Sequence, residues 1–416
     1  MSSELSAAIS SIIEGKLEDQ RRFLDALACV PPGNPPGNCA AHGEETAVLL
    51  ERLGLKVERH PISEDLARAN GIVSATNLIV RERFGAGPAI ALNAHCEISA
   101  PSIGPSFHAP GNKDRDGEMN GRFEIVATPD IATYVFALLA LKEAAAKAQG
   151  HLAGAVELHV TYDNEAGGSM GPALLLNELL TRPHYAISTG FAGNIVVAHT
   201  GSLHLEIALS RKPSGGIPSQ TDTGGLGDAT HSMLTALYAE RDRLAGLSSE
   251  TPGICSPRLA AGSISSVADP RALQHRVSLQ LDRQVIPDED PAGAEAGLKA
   301  IILNATARYS DVTCQVKRTL LALPLVPMPG QERLVCALQK HAKRILGDET
   351  GVGGVANCTS ARHYAAAGVP VVLYGVGLRM PAHVSGRKVS DEFQFGPMLQ
   401  TTEIVALALA DLLAQR

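Results

Sequence analysis

Four short segments of this chain carry side chains able to bind a metal ion or move a proton. Ile90-Ala91-Leu92-Asn93-Ala94-His95-Cys96-Glu97 is an apolar run that ends on an imidazole, with an acid two residues further on. In an extended chain residues i and i+2 point the same way, so Glu97 is placed to orient His95 or to lie beside it. Ala127-Thr128-Pro129-Asp130 puts a carboxylate at the opening of a helix. Thr161-Tyr162-Asp163-Asn164-Glu165-Ala166-Gly167-Gly168 follows a second apolar run, and Gly375-Val376-Gly377 with Ala382-His383 follows a third. Imidazole and carboxylate donors together suit Zn²⁺, Mn²⁺ or Co²⁺. Each segment alone is a weak signal. A single His in a chain with 14 of them is commonly a satisfied core or surface residue. An Asp at a helix start is commonly a cap, Asn164-Glu165 reads equally as a turn, and Gly375 to His383 as a loop. Their joint order at matching element ends is the stronger signal.

The elements that must position them come from the hydrophobic periodicity. The first 60 residues read as helices at Leu17 to Ala28 and about Ala41 to Leu53, then a strand from Lys56 to His60, with a rigid proline-rich turn from Pro31 to Asn38. Asn77 to Arg81 and Ala89 to Asn93 read as core strands, Asp130 to Ala148 as a long apolar helix, Gly154 to Tyr162 as a strand, Gly171 to Leu180 as a helix and Tyr185 to Ser188 as a strand. Strands alternating with helices imply an α/β domain with a mostly parallel sheet covered on both faces. Such sheets place their sites at strand exits and the helix starts beside them, where the four segments fall.

The middle of the chain changes character. Ser202 to Ser210 alternates apolar and polar residues, the period of a half-exposed antiparallel strand. A helix at Asp228 to Leu244, strands at Leu259 to Ser266 and Arg276 to Gln284, a helix at Ala292 to Tyr309 and a strand at Asp311 to Lys317 follow. This β-α-β-β-α-β order predicts a small α+β sandwich inserted at 199–320, between the two parts, 1–198 and 321–416, of the larger domain. The second part adds a helix at Gly330 to Ile345, a strand at Val369 to Leu373 and a closing helix at Thr401 to Ala414.

Composition narrows the function classes. The 416 residues are 45% hydrophobic and 19% charged, enough for sizeable cores and unlike a disordered chain. A net charge of −7 with no basic stripe argues against nucleic acid or an anionic membrane as partner. No apolar run is long enough to span a bilayer, and Met1 to Gly15 lacks the pattern of a signal peptide. Seven cysteines without CxxC spacing fit a reducing cytoplasm better than a disulfide scaffold.

The arrangement resembles the M20 family of metallopeptidases and amidohydrolases. The resemblance covers nearly the whole chain. It rests on Pro35-Pro36-Gly37-Asn38, the Asp130 helix, the Ala166-Gly167-Gly168 turn, and Leu281-Asp282-Arg283 with Ile286-Pro287. It rests also on Ser360-Ala361-Arg362, Ala367-Gly368-Val369-Pro370 and Ala382-His383. It implies two divalent metals about 3.5 Å apart, bridged by Asp130, one bound by His95 and the other by Glu165 and His383. It implies that Arg362 holds a substrate carboxylate, the alternative being a surface salt bridge. It implies a lid and dimerisation role for the inserted domain, hence a homodimer acting on a small-molecule substrate.

The chain departs from that pattern where the chemistry lies. The general base should stand where Asn164 stands, and an amide neither accepts nor releases a proton near neutral pH. The carboxylate expected after the next strand falls on Gly190. The acid after His95 is Glu97, longer than the usual Asp. The inserted domain's usual His has no counterpart in Lys212-Pro213-Ser214-Gly215-Gly216. Three functions are therefore expected in competition. One is a hydrolase of a small amide or N-acyl amino-acid-like substrate holding one or two metals, with Asp163, Glu97 or the metal alone managing the proton. Another is a repurposed transferase, cyclase or lyase, with Cys96 or Cys358 as nucleophile unless both are merely buried. The third is a binding homologue without turnover. His108 reads as structural, His199 as a hinge residue at the start of the inserted domain, and Asp163 as capping or orienting the Glu165 turn.

Overall fold

The computed structural model describes residues 2–30, 37–95, 128–147, 152–164, 167–191, 193–211, 224–269, 274–347, 350–376 and 395–414. The chain opens with helices α1 (Ser3–Gly15), α2 (Leu17–Ala28) and α3 (Ala40–Arg52), strand β1 (Val57–Pro61), α4 (Glu64–Ala69), β2 (Thr76–Arg83) and β3 (Ala89–His95). Then come α5 (Thr128–Lys147), β4 (Ala155–Thr161), α6 (Pro172–Asn177), β5 (Tyr185–Ser188) and β6 (Asn194–His199). The middle section holds β7 (Gly201–Arg211), α7 (Gly224–Ala245), β8 (Arg258–Asp269), β9 (Gln274–Val285), α8 (Pro291–Thr306) and β10 (Val312–Ala322). The chain closes with α9 (Gln331–Leu346), β11 (Gly351–Val355), α10 (Arg362–Ala366), β12 (Val371–Leu373) and α11 (Phe395–Leu413).

Packing divides the chain into two compact units: Met1–Val197, Pro327–Val352 and Thr359–Arg416 form the first, Ala198–Val326 and Gly353–Cys358 the second. The larger sheet runs in the order β1-β2-β4-β3-β5-β12-β6-β11. Its centre is parallel: β4 on β3, β3 on β5 and β5 on β12. Antiparallel pairs flank it, β1 on β2, β2 on β4 and β12 on β6. This is the mixed, mostly parallel α/β architecture that the alternation of elements predicts. All of β4 is buried, as a central strand covered on both faces must be. Helix α5 is apolar on every side, with Ile131, Tyr134, Val135, Leu138 and Leu141 wholly buried. It packs on β3 and β4 and is itself covered by α1, α2 and α11, the position that an all-round apolar helix demands.

The second unit has a sheet in the order β10-β7-β9-β8, antiparallel throughout its pairings. Leu203, Leu205, Ile207 and Leu209 of β7 are buried and the intervening residues are half-exposed up to Glu206. The buried face meets α7 and α8. This unit extends beyond the 199–320 span read from the sequence. β10 continues to Ala322, and His199 and Leu325 exchange both backbone hydrogen bonds at 3.0 Å. The separate stretch 353–358 joins because the Val355 carbonyl accepts the Thr200 N–H at 3.1 Å and the Ala356 carbonyl accepts from Gln284 at 2.7 Å. No helix among the described residues is long and apolar enough to cross a membrane.

Several elements carry no clear periodicity. β11 is Gly351-Val352-Gly353-Gly354-Val355, whose glycines hide a strand, and α4 and α10 are too short to show a helical repeat.

Candidate functional site

The parallel centre of the larger sheet brings four strand exits together. His95 ends β3 and pairs with Thr161, the last residue of β4. Asn93 pairs with Ser188, the last residue of β5, and Ser188 pairs with Leu373, the last residue of β12. Residues just past these ends therefore share one edge: Asp163 and Asn164 after β4, Gly190 after β5, and Gly375 and Val376 after β12.

Asp130, in the first turn of α5, is wholly buried at this edge. Its carboxylate accepts the backbone N–H of Gly190 at 3.2 Å and that of Val376 at 2.7 Å. One turn along the helix, the Tyr134 hydroxyl donates to the Tyr374 carbonyl at 2.7 Å. The start of α5 is thus stitched to the ends of β5 and β12. Burial pushes the Asp130 carboxyl up to about 7 against the pull of the two amides. Burial pushes the His95 imidazole down to about 4, so its ring is neutral at neutral pH. Its Nδ1 is shielded from solvent and has no hydrogen-bond partner among the described residues. A neutral imidazole and a buried carboxylate at one sheet edge are donor types that fit a divalent metal.

Gly190 does not fit as the place of a further ligand. A Cβ built there would lie 2.3 Å from the Tyr374 nitrogen. The backbones after β5 and β12 approach too closely for any side chain at 190, and the Gly190 amide faces Asp130 instead. Among the described residues no group of three or more His, Cys, Asp or Glu is placed to hold a metal. Glu97, Glu165 and His383, together with Cys96, His108 and Lys212 to Gly216, lie outside the described residues.

The turn after β4 is fixed from several sides. Asp163 is buried and accepts the Met170 N–H, and burial raises its carboxyl to about 6. The Asn164 carbonyl accepts the Gly167 N–H at 3.0 Å, and its side-chain Oδ1 accepts the Ser360 N–H at 2.8 Å. Arg362 is 8% exposed, so it is not the surface salt bridge weighed above. Its guanidinium donates to the Thr359 carbonyl at 2.9 Å and to the Gly167 carbonyl. Cys358 is half-buried and closes the 353–358 stretch of the second unit. His199 is buried, its Nδ1 2.9 Å from the Thr200 carbonyl.

Two polar clusters near this edge escape the sequence reading. Glu157, His159 and Thr161 alternate along the buried strand β4. The His159 ring stacks on Tyr364, with Nδ1 2.7 Å from its hydroxyl and Nε2 3.2 Å from Glu157. Polar residues at i, i+2 and i+4 of an otherwise apolar strand were the available signal. His42 on α3 lies 3.1 Å from the Tyr162 hydroxyl, and nothing in its local sequence marks it.

No family model and no curated protein matches this chain. Solved structures do match it. The dipeptidase Dug1p of Saccharomyces cerevisiae superimposes with a TM-score of 0.73, covering 98% of each chain at 11% identity. The M20 family metallo-carboxypeptidase Sso-CP2 of Sulfolobus solfataricus gives 0.62 over 99% of each chain at 13% identity. YxeP of Bacillus subtilis, described as a dinuclear metal binding peptidase from the M20 family, gives 0.62 at 12% identity over 96% of this chain and 99% of its own. The chain has the M20 metallopeptidase fold.

Proposed function

We propose that the protein is a metal-dependent hydrolase of a peptide bond or small amide, working at the edge where the four central strands end. One observation carries this reading. The neutral His95 ring at the exit of β3 and the buried Asp130 carboxylate at the start of α5 occupy that same edge. The likeness of the whole chain to peptidases supports it. His95 and Asp130 would hold the metal, with Glu165 and His383 assigned to the same task on sequence alone. Zn²⁺, Mn²⁺ or Co²⁺ suits this donor set, and such an ion supplies Lewis acidity towards an amide carbonyl. Asn164 orients rather than carries a proton, because its amide is not titratable. The proton task falls to Asp163 or Glu97, the carboxylates adjacent in sequence to the metal-binding segments. With no side chain available at 190, one metal per chain is the expected stoichiometry.

The test is elemental analysis of the purified protein joined to chelator titration over a panel of dipeptides and N-acyl amino acids. About one equivalent of metal, hydrolysis lost to chelator and restored by Zn²⁺, Mn²⁺ or Co²⁺ is the expected result. Metal-free protein with chelator-insensitive turnover removes the reading.

A second reading, a binding homologue without turnover, is favoured by Asn164, whose Oδ1 is engaged with the Ser360 amide. It predicts ligand-dependent stabilisation in thermal melts with no product over the same panel.

We also propose a homodimer formed through the second unit. β8 is an outer strand of its sheet, and Ile264 and Val267 on it are 50% and 60% exposed. Light scattering of the intact chain tests this, and a monomer at tens of micromolar would exclude it.

A further inference from the structure

We infer that Arg362, His363 and the Ser360 amide form a clasp that fixes the turn after β4, so that Arg362 is a positioning residue rather than a receptor for a substrate carboxylate. The turn is built from Asp163, Asn164, Gly167 and Gly168, with Gly167 and Gly168 both in the left-handed region at φ of 102° and 73°. Three bonds reach it from the segment that opens α10. The Ser360 N–H donates to the Asn164 side chain at 2.8 Å, the Arg362 guanidinium donates to the Gly167 carbonyl, and His363 Nε2 lies 2.8 Å from that same carbonyl. Burial and the adjacent Arg362 cation hold the His363 pKa near 4. The ring is then neutral and can donate through Nε2 as one tautomer.

Packing gives independent support. A Cβ on Gly168 would lie 2.6 Å from Ser360 Cβ and 2.9 Å from His363 Cδ2, so the two segments already touch. The other terminal nitrogen of the guanidinium donates to the Thr359 carbonyl at 2.9 Å. To receive a carboxylate bidentately, a guanidinium must present two parallel N–H groups in one open plane. Here each terminal nitrogen gives an N–H to a different backbone carbonyl, and with 8% of the residue reaching solvent the plane of the guanidinium is covered rather than open. The clasp holds Asn164, the residue at the base position, directly by its side chain and indirectly through Gly167, whose N–H the Asn164 carbonyl accepts.

Hydrogen exchange read by mass spectrometry on full-length Arg362→Ala, Arg362→Lys and His363→Gln tests this, beside thermal melts with and without N-acetylglycine. In Arg362→Ala the amides of Gly167, Gly168, Met170 and Ser360 are expected to exchange at least about tenfold faster, with β7 and β9 unchanged. Arg362→Lys and His363→Gln are expected to fall between it and the wild type. N-acetylglycine should shift the melting temperature of wild type and Arg362→Lys equally, including by nothing. Unchanged exchange at the turn in these variants, or a carboxylate-dependent shift present in wild type and lost in Arg362→Lys, overturns the clasp. If Arg362→Ala does not fold, the other two variants give the same reading. None of these measurements reads turnover, and comparing variants and wild type after chelation removes any contribution of a metal at Glu165, so failure here is separable from failure of the hydrolase reading.

Discussion

The carboxylate of Asp130 accepts the backbone N–H of Val376 at 2.7 Å, tying the first turn of α5 to the exit of β12 across 246 positions of sequence. With the Gly190 N–H at 3.2 Å, the two amides approach a carboxylate that is wholly buried. Asp130→Asn keeps the shape but offers one acceptor oxygen and one amino group, so one backbone N–H is left facing another donor. A buried donor without a partner costs about 1–3 kcal/mol. Urea unfolding of Asp130→Asn should show that loss, and elemental analysis should show reduced metal. A variant as stable as wild type would mean that the amides do not depend on this carboxylate.

Gly190 and Gly375 are the close-approach positions of the same edge. A Cβ at Gly375 would lie 2.3 Å from an Asp130 oxygen, and one at Gly190 2.3 Å from the Tyr374 nitrogen. Both neighbours are fixed, so Gly190→Ala and Gly375→Ala should each cost at least the ~1–3 kcal/mol typical of overpacking. Gly297, inside α8 with nothing within 4 Å of its Cβ position, makes the opposite prediction. Gly297→Ala should add about 0.5–1 kcal/mol through helix propensity. Thermal or urea melts of the three variants read both signs at once.

These glycines show where sequence reading stopped. The long, strongly patterned elements were legible because burial on one or both faces writes itself into periodicity. β5 is Tyr185–Ser188 in both readings, and α5 differs by two residues at its start and one at its end from the span expected. The convergence of four strand exits was legible too, since parallel strands put their ends on one edge. What was not legible is how near the chains pass there. The M20 resemblance made Gly190 a lost ligand, whereas the approach of the chain after β12 leaves no room for a side chain there. Arg362 read as a substrate contact or a surface ion pair, because no local pattern reports that a carbonyl 195 residues away will receive its guanidinium.

Asn164 offers a direct probe of the altered base position. Asn164→Asp keeps an acceptor for the Ser360 N–H, so its stability should stay within ~0.5 kcal/mol of wild type. Asn164→Glu lengthens the side chain into the size that the M20 resemblance calls for. If a missing base limits turnover, amide hydrolysis should rise by about 10²–10⁴ in Asn164→Glu. Steady-state rates on the same dipeptide and N-acyl panel decide it, and an unchanged rate rules out Asn164 as the limiting defect.

Acid should weaken the fold through its buried histidines. Burial lowers His42 from 6.5 to about 4. Between those values the unfolded chain holds a proton that the folded protein refuses, so stability present above pH 6.5 falls as pH falls towards 4. For one fully buried His the loss approaches ~3 kcal/mol. His363 is lowered to about 4 by burial and Arg362 and adds to the same window. Asp130 and Asp163, raised by burial to about 7 and 6, add stability over the same window and oppose this loss, so the prediction is a difference between proteins. On going from pH 7 to pH 5 the urea midpoint of His42→Gln should change less in the destabilising direction than that of wild type, with the glutamine amide standing in for the neutral ring beside Tyr162.

Glu157 supplies the control for that experiment because its contribution is lost in the same direction but in a lower pH window. It is 8% exposed, accepts from Thr181, and lies 3.2 Å from His159 and 3.3 Å from Arg81. Burial alone would raise its carboxyl. The His159, Thr181 and Arg81 contacts outweigh burial and hold it near 2. A lowered carboxylate stabilises above its unfolded pKa of about 4.5, and that contribution is lost only as pH falls through about 2. Glu157 therefore contributes fully at both pH 7 and pH 5. Glu157→Gln should cost about 3 kcal/mol, the low end for breaking a buried pair, since Arg81 keeps Glu58 as a partner. That cost should be equal at the two pH values. If instead it shrinks at pH 5, Glu157 is already protonating there, and the pH 7 to pH 5 loss belongs to this carboxylate rather than to the buried histidines.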